Sequence, residues 1–346
     1  MKKLSSDISG SMANMSFLCA ILIVLYHVPF CQHAGGAYGE FTWLLRSIAC
    51  PIAVPWFFFA SGFFLAGHMH EDGWWRNACR KRLKTILVPY LFWNVIWFVY
   101  KILLGGIPFR EVTTSIAPYL NAVGLNVFDF PVFGAFWFLR MLLLLILVSP
   151  ALVFLMRGGR LICFLAISAL FSAYALFSVY TSELSIEWQR LFSFGCSLRG
   201  IFYFTIGLGT REYLNLDKVK FLRKYAVMIV FAGAIMGVRF SAEHSALAVL
   251  FSLCGTLFMV FGVVAMMPKS VSKFWPTEYA FPLYVTHVFV VAHLHHLVKF
   301  FSMEAGLSSI IGFSLFAIVT LLCSLLSIWL LRKLPANWSL LLWGGR

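Results

Sequence analysis

Ten apolar runs, most of them long enough to cross the ~30 Å hydrocarbon core of a bilayer as a helix, recur from one end of this chain to the other. They cover residues 15–33, 47–67, 86–104, 136–155, 161–180, 195–210, 225–240, 245–267, 280–300 and 309–331, the sixth and seventh being the shortest. Inside hydrocarbon a backbone must satisfy its own hydrogen bonds, which leaves helices and closed barrels as the spanning structures. The runs show no polar–apolar alternation on a period of two and exceed the length of a tilted barrel strand, so an all-α, polytopic helical membrane bundle is expected. With 61% hydrophobic and 12% charged residues, the composition is outside the range of soluble globular domains. The connections are mostly short, with no internal repeat or linker, so residues 1–346 are expected to form a single integral membrane domain.

The basic residues orient the bundle. Placing the N-terminus inside puts 19 of the 27 Lys and Arg on inner segments, among them Arg76, Arg80, Lys81, Arg82 and Lys84. That asymmetry predicts an even number of crossings with both termini cytoplasmic. The net charge of +14 is thereby explained by topology, and no nucleic-acid partner is needed. Small residues Ala34–Ala37 after the first run resemble a signal-cleavage site, but the topology works with that run retained. Among eight cysteines there is no CxxC and no metal-ligand spacing with histidine; Cys31 and Cys50 fall near the outer face, where a disulfide is an open alternative.

His27, at the end of the first run, is the most informative single residue. An imidazole at membrane depth is costly to place and marks either a functional site or a polar contact between helices. Pro29 follows and can open the helix just beyond it. In the second run Ser61 and Gly62 follow a wall of aromatics, which reads as close helix packing or as a hydroxyl lining a channel. The basic loop from Arg76 to Lys84 can hold phosphates, because guanidinium forks match phosphate oxygens; Arg82 is the candidate there. Trp137 and Arg140 open the fourth run on the outer side, and Arg199 stands at the outer entry of the sixth. Tyr284 and His287, three apart in the ninth run, share a helix face, and His293 and His296 form a second such pair. No HExxH motif or nearby carboxylate accompanies them, so no metal is expected.

Taken in order, these segments resemble the membrane-bound acyltransferase family 3. The resemblance rests on the first helix ending Val24-Leu25-Tyr26-His27, the second with Ser61-Gly62-Phe63, the basic stretch Arg82-Leu83-Lys84 to Pro89-Tyr90, the Trp137-Phe138-Leu139-Arg140 helix start, and Leu283-Tyr284-Val285-Thr286-His287. It spans nearly the whole chain. One departure stands out: family members usually carry an arginine eleven positions before the helix-one histidine, and Ser16 occupies that position.

The resemblance implies a bacterial inner-membrane enzyme that transfers an acyl group, commonly acetyl, from a cytoplasmic acyl-CoA such as acetyl-CoA to a hydroxyl of a polysaccharide or lipid-linked glycan. It implies His27 as general base, or as a transient acyl carrier. Arg82 would hold the donor, Trp137, Arg140 and Arg199 would lie near the acceptor, and Ser61, Tyr284 and His287 would line the path. A transporter or flippase for a lipid-linked glycan is the alternative, with the histidines as proton relays.

Overall fold

Because backbone groups in lipid must pair within the chain, each of the ten apolar runs contains a helix, and no strand occurs among the described residues. A computed structural model describes residues 6–29, 36–46, 52–103, 120, 131, 134–214, 224–240, 246–266, 276–300 and 309–345. Its helices are α1 Ser6–His27, α2 Gly36–Leu44, α3 Ala53–Ala66, α4 Trp74–Arg82, α5 Val88–Leu103, α6 Trp137–Arg157, α7 Arg160–Tyr180, α8 Ile186–Arg190, α9 Leu198–Tyr213, α10 Ala226–Phe240, α11 Ala246–Met266, α12 Ala280–Phe300, α13 Ile310–Leu331 and α14 Ala336–Trp343. Seven continuous helical stretches among the described residues are long and apolar enough to span a membrane, and Ala53–Ala66 and Ala226–Ile235 are shorter apolar helices. The chain is a polytopic all-α membrane protein. Cys31 and Cys50 lie outside the described residues.

Two stretches differ from the sequence expectation. Residues 76–82 are not a loop but belong to α4, which continues through a π-helical segment, Leu83–Leu87, into α5. The third span is therefore the helical stretch Trp74–Leu103 rather than 86–104. Likewise the run 195–210 is part of a longer stretch, Ile186–Tyr213. Apolar content marks the part of a helix suited to lipid, whereas the polar turns that extend it are held by packing, which hydropathy does not register.

The chain divides into two compact units, one made of Lys3–Phe57 with Leu216–Leu334, the other of Phe58–Asn215 with the two chain ends Met1–Lys2 and Pro335–Arg346. The division falls within α3. In the first unit, Phe17, Ala20 and Val24 of α1 pack with Ala280 and Leu283 of α12 and with Ile328 of α13. Further along, Val28 and Tyr38 pack with Phe313, Phe316 and Ala317. These pairings make α12 parallel to α1 and α13 antiparallel to both, so the start of α1 and the end of α13 lie at the same end of this unit. There the Arg332 guanidinium sits 4.2 Å from the centre of the Tyr279 ring.

In the second unit α6 carries Pro150 in its interior. Proline has no N–H to give to the carbonyl four residues back, and that carbonyl, Ile146, instead accepts from Ser149 Oγ at 2.7 Å and from Trp75 Nε1 at 2.9 Å. The second bond ties the basic helix α4 to α6. At the far end of α6, Arg157 donates to the Met69 carbonyl and the Tyr213 hydroxyl to the Met156 carbonyl. α14 packs beside α5, where Trp93 Nε1 donates to the Leu342 carbonyl at 2.8 Å.

α3 and α9 cross at a pair of glycines. A Cβ on Gly62 would lie 2.0 Å from the Phe204 carbonyl oxygen, and one on Gly207 would lie 2.1 Å from that of Phe59. Small residues at such crossings let backbones touch, and van der Waals contact is a main source of helix association in lipid. Gly207→Ala is expected to lower the thermal unfolding midpoint of the detergent-solubilised protein by several degrees, corresponding to an overpacking cost of about 1–3 kcal/mol. Gly134→Ala, which meets open space, should leave the midpoint within a degree or two.

Candidate functional site

The end of α1 brings two imidazoles together. His27 and His287 have ring centroids 4.9 Å apart at an interplanar angle of 61°. His287 Nδ1 faces the Tyr284 carbonyl at 2.6 Å and His27 Nδ1 faces the Ile23 carbonyl at 2.8 Å. A carbonyl can only accept, so each Nδ1 carries the hydrogen and each Nε2 keeps its lone pair. His287 Nε2 then accepts a second, longer contact from His27 Nδ1–H at 3.3 Å. Both nitrogens of His287, which is 0% exposed, are thereby committed to the protein. His27 is half-buried, and its Nε2 is the nitrogen of the pair that no described group engages. The geometry presents one basic nitrogen in a fixed tautomer, braced by a second ring.

α12 runs parallel to α1 and begins beside its middle, with Ala280 and Leu283 against Phe17, Ala20 and Val24, so His287, two turns into α12, reaches the level of the last residue of α1. Tyr284 belongs to the same group: it is buried, supplies the carbonyl that orients His287, and places its ring 5.9 Å from that imidazole.

One residue of this group was not singled out by sequence. Arg46 Nη2 donates to the Val28 carbonyl at 2.9 Å, and its guanidinium carbon lies 5.0 Å from the centre of the Tyr26 ring. It therefore holds the residues on either side of His27. Val28 follows the last residue of α1, and a cation against the free carbonyls of a helix C-terminus is favourable. Arg46 lies just past α2, eighteen residues from Val28, and no local pattern in the sequence marks it.

Ser16 stands where the resemblance led to the expectation of an arginine. Its hydroxyl donates to the Met12 carbonyl at 2.9 Å and accepts from Trp56 Nε1 at 3.1 Å. Trp56 is 0% exposed, so the room beside position 16 is taken by an indole.

The remaining sequence candidates lie in the other unit. Ser61 is half-buried on α3. Arg82 is half-buried on α4, whose Arg76, Arg80 and Lys81 are exposed, as is Lys84 in the π segment. Trp137 is half-buried with its ring 6.3 Å from Phe58, and Arg140 is buried one turn into α6. Arg199 is half-buried, its guanidinium 5.9 Å from the Tyr203 ring, on a helix that Ser197 caps through the Gly200 N–H. Outside both groups, His293 is exposed and its Nδ1 donates to the Phe289 carbonyl. Among the described residues no cluster of three metal-ligating side chains occurs.

The chain belongs to the acyltransferase-3 family: that family's model, an acyltransferase domain, matches residues 14–329. It is 28% identical over 177 residues to the succinoglycan biosynthesis protein ExoH of Rhizobium meliloti (strain 1021), an alignment covering 48% of each chain. The match thus takes in about half of that relative's length. No solved structure matches the chain.

The Ser16–Trp56 pair makes the departure at position 16 testable. Ser16→Arg is expected to lower the unfolding midpoint, since a buried indole must move to admit the guanidinium. Ser16→Ala should cost about 1 kcal/mol, the worth of the hydrogen bond that Trp56 Nε1 gives the hydroxyl. Equal midpoints for wild type and Ser16→Arg would contradict this packing.

Proposed function

We propose that this enzyme transfers an acyl group, acetyl in the simplest case, from a cytoplasmic acyl-CoA to a glycan hydroxyl, with His27 as general base. The carrying observation is the histidine pair whose one uncommitted nitrogen is His27 Nε2. A sugar hydroxyl is a weak nucleophile at neutral pH. In the proposed step its proton passes to Nε2 as the oxygen attacks the thioester carbonyl. The tetrahedral intermediate collapses to the ester, the C–S bond breaks, and the imidazolium returns its proton to the departing thiolate, giving free coenzyme A.

His287 is assigned a positioning role rather than substrate contact, since neither of its nitrogens is left for a ligand. It fixes the tautomer of His27 and accepts part of the charge that forms on it, as second-rank groups do in other imidazole bases. Arg46 steadies the helix end that carries the base. On the donor side the exposed cations of α4, with Arg82, suit the phosphates of coenzyme A. Trp137 and Arg199 remain candidates for the acceptor path, and Ser61 for the acyl path.

The relative named for succinoglycan biosynthesis supports a glycan acceptor. The family match runs through both compact units, which supports reading residues 1–346 as one acyltransferase domain. The excess of basic residues on alternate connections supports a bacterial inner-membrane location with both termini cytoplasmic.

Substitution tests the assignment. His27→Ala should reduce acylation of the surface glycan, read by mass spectrometry, by about 10²- to 10⁴-fold, the usual contribution of a general base. His287→Gln should retain a measurable fraction, with the loss in kcat rather than KM. Full acylation by a His27→Ala protein present in the membrane at wild-type level would remove the assignment.

A further inference from the structure

In the unit containing residues 58–215, α5 buries a phenol whose hydroxyl no described residue satisfies. Tyr90 is 2% exposed, and its ring stacks on Phe136 with centroids 6.1 Å apart and planes at 29°. Its hydroxyl has no hydrogen-bond partner among the described residues. Native interiors leave few buried hydroxyls unpaired, because each one forfeits its bonds to water without replacement.

The helix packed against it supplies positive potential at the same place. Arg140 is 4% exposed and follows Phe136 by four residues, so the two side chains share a face of the helix start. Arg140 also stands in the first turn of α6, a helix with no side-chain cap at its N-terminus. The backbone N–H groups there already carry the positive end of the helix dipole, which disfavours a cation and favours an anion. A buried guanidinium, a helix N-terminus and a phenol with an unused hydrogen are three sources of attraction for one anionic oxygen group.

We propose that Tyr90 and Arg140 form a phosphate subsite at the start of α6. The phenol donates one hydrogen bond and the guanidinium supplies charge to the oxygens of a phosphate or diphosphate. The inference rests on the acyl-transfer reading, in which two substrates offer that chemistry: coenzyme A, and a glycan carried on a polyprenyl diphosphate.

The test uses the full chain in lipid nanodiscs with three probes: inorganic pyrophosphate, coenzyme A and a short polyprenyl diphosphate. Affinities and the ligand-free melting temperature are measured for wild type, Tyr90→Phe, Arg140→Gln and His27→Ala. Tyr90→Phe keeps the ring and removes the unpaired hydroxyl, so the ligand-free protein should melt at the same or a higher temperature. Its affinity for pyrophosphate should fall about tenfold, the worth of one charge-assisted hydrogen bond, and Arg140→Gln should lower it further. A parallel loss for coenzyme A assigns the subsite to the donor, and one for the polyprenyl diphosphate assigns it to the acceptor. The proposal is overturned by wild-type protein that binds none of the probes, by unchanged affinities in Tyr90→Phe, by a loss confined to pyrophosphate, or by a lower ligand-free melting temperature in Tyr90→Phe. His27→Ala should abolish acylation without altering these affinities, so failure of the base and failure of the subsite give different results.

Discussion

The contact between His27 and His287 is the interaction on which the proposed chemistry depends, and it exists because hydrocarbon offers polar groups no water. An imidazole in that setting must find its partners within the protein. Two helix carbonyls take the Nδ1 hydrogens of the two rings, and the second ring lies against the first. The same bonds that make the histidines tolerable in a membrane leave one lone pair unspent and pointed by a fixed ring. Stability and reactivity thus come from one arrangement.

The surroundings of α1 show how it is held at two levels. At position 16, where the family resemblance led to the expectation of an arginine, Ser16 bonds Trp56 and the space is closed by an indole. The guanidinium of Arg46, just past α2, grips the end of α1 through Val28 and Tyr26. Its charge is delivered to the C-terminal end of the helix, where the dipole favours it. The helix that carries the base is therefore held at both levels, by a neutral hydrogen bond three turns back and by a cation beside the base.

Much of this was legible in the sequence, for reasons that differ between elements. The spans were readable because bilayer thickness imposes a length on apolar runs, and His27 because a titratable residue within such a run is costly. Helix α4 was not readable: a segment containing Arg76, Arg80, Lys81 and Arg82 looks like a loop by hydropathy, and its tie to α6, Trp75 on the carbonyl that Pro150 leaves without its helical partner, is a long-range contact. The pairing of His27 with His287 was not readable either. Their separation of 260 residues carries no local signal, and the meeting follows from α1 and α12 running parallel. Gly62 was singled out beside Ser61, and the structure shows why a glycine is needed there: the Phe204 carbonyl leaves no room for a Cβ.

The claim that the two histidines act as one unit, with His27 as the base and His287 as its support, is tested most directly by a double-mutant cycle in purified protein. Acyl transfer from acetyl-CoA to a glycan acceptor would be timed for wild type, His27→Ala, His287→Ala and the double variant. Groups that act only through one another show non-additive losses. The account predicts that the double variant is no slower than His27→Ala alone. Losses that multiply, or a His27→Ala enzyme faster than His287→Ala, would contradict it.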